Sequence, residues 1–167
     1  MSMFYRRGSG CVATLDAVES DVLRDVLSQV MELVADDDLD RADPVVARLF
    51  PDHYPDDREI STDLHRYTDD DLKAAKLEQA GTVVGALPRG GGTVHLDEEQ
   101  AETWLRALTD ARLALGMRID VRDDTDLEAE IDEAVLADPT SPRVQQLSVY
   151  AFLTLLQASL VEALAGY

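Results

Sequence analysis

The chain has 167 residues, 29% of them charged, and its 34 acidic against 15 basic side chains give a formal net charge of −19. That length suits one domain, residues 1–167, with enough chain to bury a core, while the charge opposes phosphate contacts and disfavours a free-standing DNA binder. Cys11 is the only cysteine, which excludes an intramolecular disulfide and a cysteine-based structural zinc site.

In chain order, Met1-Ser-Met-Phe-Tyr-Arg-Arg has no apolar core of a secretory signal, so a cytoplasmic location is expected. Met3 to Arg7 and Cys11 to Leu15 flank Gly8-Ser9-Gly10, the pattern of a β-hairpin. Asp16 with Glu19 forms a capping box opening a helix to about Val34, whose apolar stripe is read as Val18, Val22, Val26, Val30 and Leu33. An acidic connection to Asp40 follows. Asp43-Pro44 starts a short helix through Phe50, with proline in its tolerated first turn, and Pro51 to Pro55 is irregular. A second short helix is expected from Asp57 to Tyr67. Thr68 or Asp69 then caps a longer one through about Leu87, with Leu72, Ala80, Val83, Val84 and Leu87 apolar.

Pro88-Arg-Gly-Gly-Gly forms a loop, Thr93 to Leu96 a third short strand, and Asp97 with Gln100 repeats the capping box. The helix it opens carries Trp104, Leu105, Leu108, Ala111, Leu113 and Leu115 to Gly116, read as its C-cap. Asp120 to Asp126 is a turn, Leu127 to Leu136 a helix, and Pro142 precedes the tail helix. Val144 to Val161 carries no charge. Eighteen such residues sit at the lower edge of a membrane span, but Gln145, Gln146, Thr154 and Gln157 and the lack of an aromatic belt favour a buried helix. On the wheel, Ser148, Leu155, Ser159 and Glu162 form the narrow strip left for water. The fold class is mainly α, with a small antiparallel β element made of the N-terminal hairpin and the strand near 93–96.

No catalytic residues, cofactor or metal ligands are read from the chain. His53, His65 and His95 lack ligand spacing, and Asp36, Asp38 and Asp40 fail as a calcium loop because Arg41 replaces the glycine and Ala47 the terminal glutamate. Gly90-Gly-Gly lacks the lysine of a phosphate loop. Three polar residues do fall on apolar faces: Lys76 between Val83 and Leu87, Arg112 between Ala101 and Leu105, and Gln157 between Leu164 and Tyr150. They form either a buried polar cluster that binds a small anion or peptide carboxylate, or long stems snorkelling past the core. Cys11 is either a redox-reactive thiol lowered by neighbouring Arg6 and Arg7 or, the commoner case, a small core hydrophobe.

Four phrases carry a family resemblance: Tyr54-Pro-Asp-Asp-Arg, Thr68-Asp-Asp-Asp-Leu-Lys-Ala-Ala-Lys-Leu, Trp104-Leu-Arg-Ala-Leu-Thr-Asp-Ala-Arg-Leu-Ala-Leu-Gly and Leu156-Gln-Ala-Ser-Leu-Val-Glu-Ala-Leu. They resemble the actinobacterial AosR-like family, long labelled a domain of unknown function and usually encoded beside the Clp protease adaptor. The resemblance implies a transcriptional regulator of oxidative stress and cysteine biosynthesis, working with a sigma factor and sensing oxidation through a cysteine pair. It also implies asparagine where Thr109 stands. With Cys11 alone the sensing pair cannot form within one chain. The reading is a non-enzymatic regulatory protein whose partner is a sigma factor or polymerase, dimeric through its C-terminal helix, with little direct DNA binding. The alternatives are a partner in Clp-dependent proteolysis and a small-anion binder using Lys76, Arg112 and Gln157.

Overall fold

A computed structural model describes residues 2–36, 42–51 and 58–166, with backbone alone for 58–69. In order the elements are β1 (Tyr5–Arg7), β2 (Gly10–Leu15), α1 (Ala17–Ala35), α2 (Pro44–Leu49), α3 (Arg58–Ala86), β3 (Gly92–Leu96), α4 (Glu98–Arg118), α5 (Leu127–Ala137) and α6 (Pro142–Ala165). The mainly helical fold with a small antiparallel sheet is as expected. Most of the acidic connection and of the Pro51 to Pro55 stretch lies outside the described residues.

The sheet has the order β1-β2-β3, antiparallel throughout. Its register sets Arg6 beside Cys11 and Cys11 beside Leu96, so Cys11, Ala13 and Leu15 of β2 point into the core with Val94 and Leu96 of β3. Tyr5, Val12 and His95 form the neighbouring row on the opposite face. Gly10 is required at the rim, because a Cβ there would lie 2.3 Å from the Leu96 carbonyl oxygen.

Both strand-to-helix joints carry the capping boxes read from the sequence. The Asp16 carboxylate accepts from Glu19 N–H at 2.8 Å and the Glu19 carboxylate from Asp16 N–H at 3.0 Å. Asp97 and Gln100 repeat this at 2.8 and 2.9 Å. Each box satisfies donors that a helix start leaves without partners. Asp43, Asp126 and Ser141 cap α2, α5 and α6 in the same sense.

The core lies between the sheet and the helices, with α4 packed on α1, α2, α3 and α6. Trp104 of α4 is fully buried and meets the Phe4 ring edge-on, centroids 5.8 Å apart. From α6, Leu153, Leu156 and Leu160 enter the same core. A smaller cluster of Ile119, Val121, Leu147 and Tyr150 sits under α5, which contributes only half-buried Leu127, Ile131 and Ala134. Among the described residues α6 is the one helix long and apolar enough to cross a membrane. Its apolar face is instead spent on this core.

Four local expectations need correction. The α1 stripe is Ser20, Leu23, Leu27, Val30 and Val34, while Val18 is 70% exposed. A column of residues four apart drifts around the helix, so the valines could not all face one neighbour. The two helices expected across 57–87 are one, since no proline or glycine lies between Arg58 and Ala80 to end it. Gly116 is not a C-cap. The helix runs on to Arg118, and Gly116 lies under the Tyr150 ring, where a Cβ would come within 3.0 Å of Cε2. Finally, Ser159 is not in the water-facing strip but buried: its hydroxyl accepts from Phe4 N–H at 2.9 Å and donates to the Leu156 carbonyl at 2.8 Å. The incoming β1 backbone needs that acceptor where no strand pairs with it.

Candidate functional site

Three positions within one turn near the middle of α4, Thr109, Asp110 and Arg112, organise the inward polar groups. Thr109 and Arg112, three apart, share a side of the helix, and Asp110 lies about 100° round from Thr109. Asp110 faces α3, where Lys76 Nζ donates to both carboxylate oxygens at 2.9 Å. The two side chains are 12% and 13% exposed. Arg112 faces α6: its Nε donates to Thr154 Oγ1 at 3.0 Å, and its guanidinium carbon lies 5.3 Å from the centroid of the Tyr150 ring. Gln157 Nε2 donates to Thr109 Oγ1 at 3.1 Å, and that hydroxyl donates to the Leu105 carbonyl at 2.7 Å.

Lys76, Arg112 and Gln157 therefore all gather around α4, each with its own partner and on two different sides. The Lys76 charge is met by Asp110, and Arg112 is held by a hydroxyl and an aromatic face. Gln157 Oε1 is buried without a partner. Beside the Lys76–Asp110 pair an open cavity of about 400 Å³ runs between α3 and α4, rimmed by Leu72, Gln79 and Arg106. Asp110, Thr154 and Tyr150 were not singled out as site residues from the sequence, and Thr109 was marked only as standing where the resemblance implies asparagine. The signal available was the angle of Asp110 on α4, which turns it toward a neighbouring helix instead of water.

Cys11 is 3% exposed, among core side chains. Burial pushes its thiol above the ordinary value and Arg6 pulls the other way without cancelling it. The lowering expected from Arg6 is thus outweighed. Arg6 is also occupied elsewhere: its Nη1 donates to the Ala163 carbonyl at 3.2 Å, near the C-terminus of α6, where a cation is favoured by the helix dipole. Among the described residues no cluster of three His, Cys, Asp or Glu side chains is placed to hold a metal ion.

A second feature lies between α1 and α6. An open groove of about 380 Å³ separates the start of α1 from the first half of α6. Its apolar walls are Val18 and Val22 of α1 and Val149 and Phe152 of α6, and its charged residues are Asp16 and Glu19. Burial works to raise the pKa of Glu19, but hydrogen bonds from Asp16 N–H and from the Ser2 hydroxyl and N–H outweigh it and hold the carboxylate below its ordinary range.

The oxidative stress regulator AosR of Mycobacterium bovis is 27% identical over 170 residues, covering 93% of this chain and 73% of that protein. The regulator of the same name from Mycobacterium tuberculosis strain H37Rv gives the same figures. A Mycobacterium leprae protein that also carries the AosR name is 31% identical over 135 residues, 73% of this chain, and the match spans 58% of its length. No solved structure matches the chain. A family model described as "Domain of unknown function (DUF2017)" matches residues 1–164, and the chain belongs to that family.

Proposed function

We propose that the protein is a non-enzymatic regulator of the oxidative-stress response that acts by docking on a DNA-bound protein, with a sigma factor or polymerase as its partner. The similarity to AosR regulators over 93% of the chain carries this reading. Two physical observations support it. The inward charged groups are committed to partners inside the fold, so a reactive constellation is not what they build. The net charge of −19 repels phosphate, and a sequence-specific reader needs several phosphate contacts to hold its register. A protein intermediary removes that difficulty, and an acidic surface speeds encounter with a basic patch on it.

The test is a promoter-fragment shift assay with and without the sigma factor, paired with co-purification from cells. Alone, the protein should bind DNA no tighter than about 10⁻⁴–10⁻⁶ M at physiological salt, the range of non-specific contacts. With the sigma factor or polymerase it should enter the complex. Tight, sequence-selective binding by the protein alone would overturn the reading.

A further inference from the structure

We propose that the groove between α1 and α6 docks one amphipathic, cationic helix of a partner protein. This deepens the regulatory reading and rests on it for the partner's identity, not for the site. Val18 is a large apolar side chain 70% exposed at the mouth of the groove, left uncovered by the described residues. Val22, Val149 and Phe152 continue the apolar surface inward across two different helices. An aliphatic ridge on an inserted helix fits such a trough, with anchors three and four residues apart.

Charge selects among occupants. The groove's charged residues are both acidic, and further along α1 Asp25 is exposed while Asp21 pairs with Arg24 at 3.0 Å. Asp16 and Glu19 are fixed by the capping box, and Glu19 also by Ser2, so their charges stand at defined places on one wall. The α6 wall contributes only neutral Gln145 and Ser148 as polar groups. An acidic peptide, a nucleic acid or an anionic bilayer would be repelled by this rim. A second copy offering its α6 would bring no lysine and a single arginine, Arg143, which is already paired with Glu130. A helix with one aliphatic face and lysine or arginine along its flank satisfies both walls at once.

The probe is a fluorescein-labelled 18-residue peptide of leucine and lysine, its leucines at helical spacing, against a peptide of equal composition in scrambled order. Anisotropy is read at physiological salt. The helical peptide should bind at least about tenfold more tightly than the scrambled one, the effect of one well-seated apolar anchor or more. Val18→Lys and Gln145→Lys, on opposite walls, should each weaken it by about tenfold. Leu136→Lys makes the same charge change at an 87% exposed position on α5 and should leave binding within about twofold. Equal binding of both peptides, or equal losses from all three variants, would mean the long-range field alone attracts the peptide and would overturn the proposal. So would loss of self-association in Val18→Lys by sedimentation, which would make the occupant a second copy. The synthetic probe separates this outcome from the regulatory reading: a working groove in a protein that recovers no sigma factor or polymerase from cells would leave the groove standing and remove that reading.

Discussion

Replacing Lys76 by Met keeps most of the stem that packs between α3 and α4 and removes only the ammonium. Asp110 is then left 13% exposed, having lost both hydrogen bonds at 2.9 Å. Stranding one member of a fully buried pair costs about 3–5 kcal/mol, and losing an exposed pair costs about 0–1 kcal/mol. The open cavity beside the pair admits water to the stranded carboxylate, which places the expected loss near 2 kcal/mol. For a chain of this size that lowers Tm by about 4–8 °C. Asp110→Leu should cost a similar amount by stranding the ammonium. The double variant Lys76→Met, Asp110→Leu removes both charges and fills the space with apolar atoms, so it should fall within about 1 kcal/mol of wild type. Urea unfolding followed by helical circular dichroism gives all four corners of the cycle, with a coupling of about 3 kcal/mol expected. Single variants that unfold like wild type, or losses that simply add in the double, would show that the pair behaves as a solvated surface contact and that Lys76 keeps a charge free for a ligand.

Glu19 has a folded-state pKa below its unfolded value of 4.5, so its stabilising effect is full above that pH and is lost as pH falls through the lowered value. Glu19→Gln should therefore narrow its stability deficit against wild type as unfolding midpoints are taken from about pH 6 to pH 3; a constant deficit refutes the assignment. Cys11 should react with a disulfide reagent only as fast as the core opens, and at once in denaturant, because it is 3% exposed with a raised thiol pKa. Complete labelling of the folded protein on mixing would contradict the buried placement. Along the outer side of α6, beyond the groove, Ala151, Leu155, Ala158 and Glu162 repeat at the four-three spacing of a coiled-coil seam, all exposed or half-exposed. Light scattering should give a dimer mass that Leu155→Asp reduces to a monomer; a monomeric wild type across micromolar concentrations refutes pairing through that seam.

Much of the backbone plan was legible because its causes are local. Asp16 with Glu19 and Asp97 with Gln100 announce helix starts within four residues, and Gly8-Ser9 announces the hairpin. Legibility ends where the cause is a distant residue. Gly116 reads as a terminator in isolation; in the fold it sits within α4 against the ring of Tyr150, delivered by another helix. Ser159 reads as solvent-facing until Phe4 N–H arrives from the other end of the chain. The Thr68-Asp69 pattern has the chemistry of a helix start but no glycine or proline before it to stop the preceding turn, so the helix runs through it.

The polar cluster shows the same boundary more sharply. Periodicity placed Lys76, Arg112 and Gln157 on inward faces, but it assigns each residue an angle on its own helix and no height along its neighbour. Heights decide partners. Asp110 meets Lys76 across 34 positions in sequence, and Thr154 meets Arg112 across 42. Because Asp110 is turned away from Thr109 and Arg112, the three candidates fall on two seams of α4 instead of converging. One seam is left incomplete. The Thr109 hydroxyl accepts from Gln157 and spends its single proton on the Leu105 carbonyl, so it has nothing to donate to Gln157 Oε1. An asparagine there has two amide protons, and could accept from Gln157 while donating back. The asparagine that the resemblance implies at 109 would thus meet the one buried side-chain acceptor left unmatched among the described residues, and a cost of about 1–3 kcal/mol attaches to such a group.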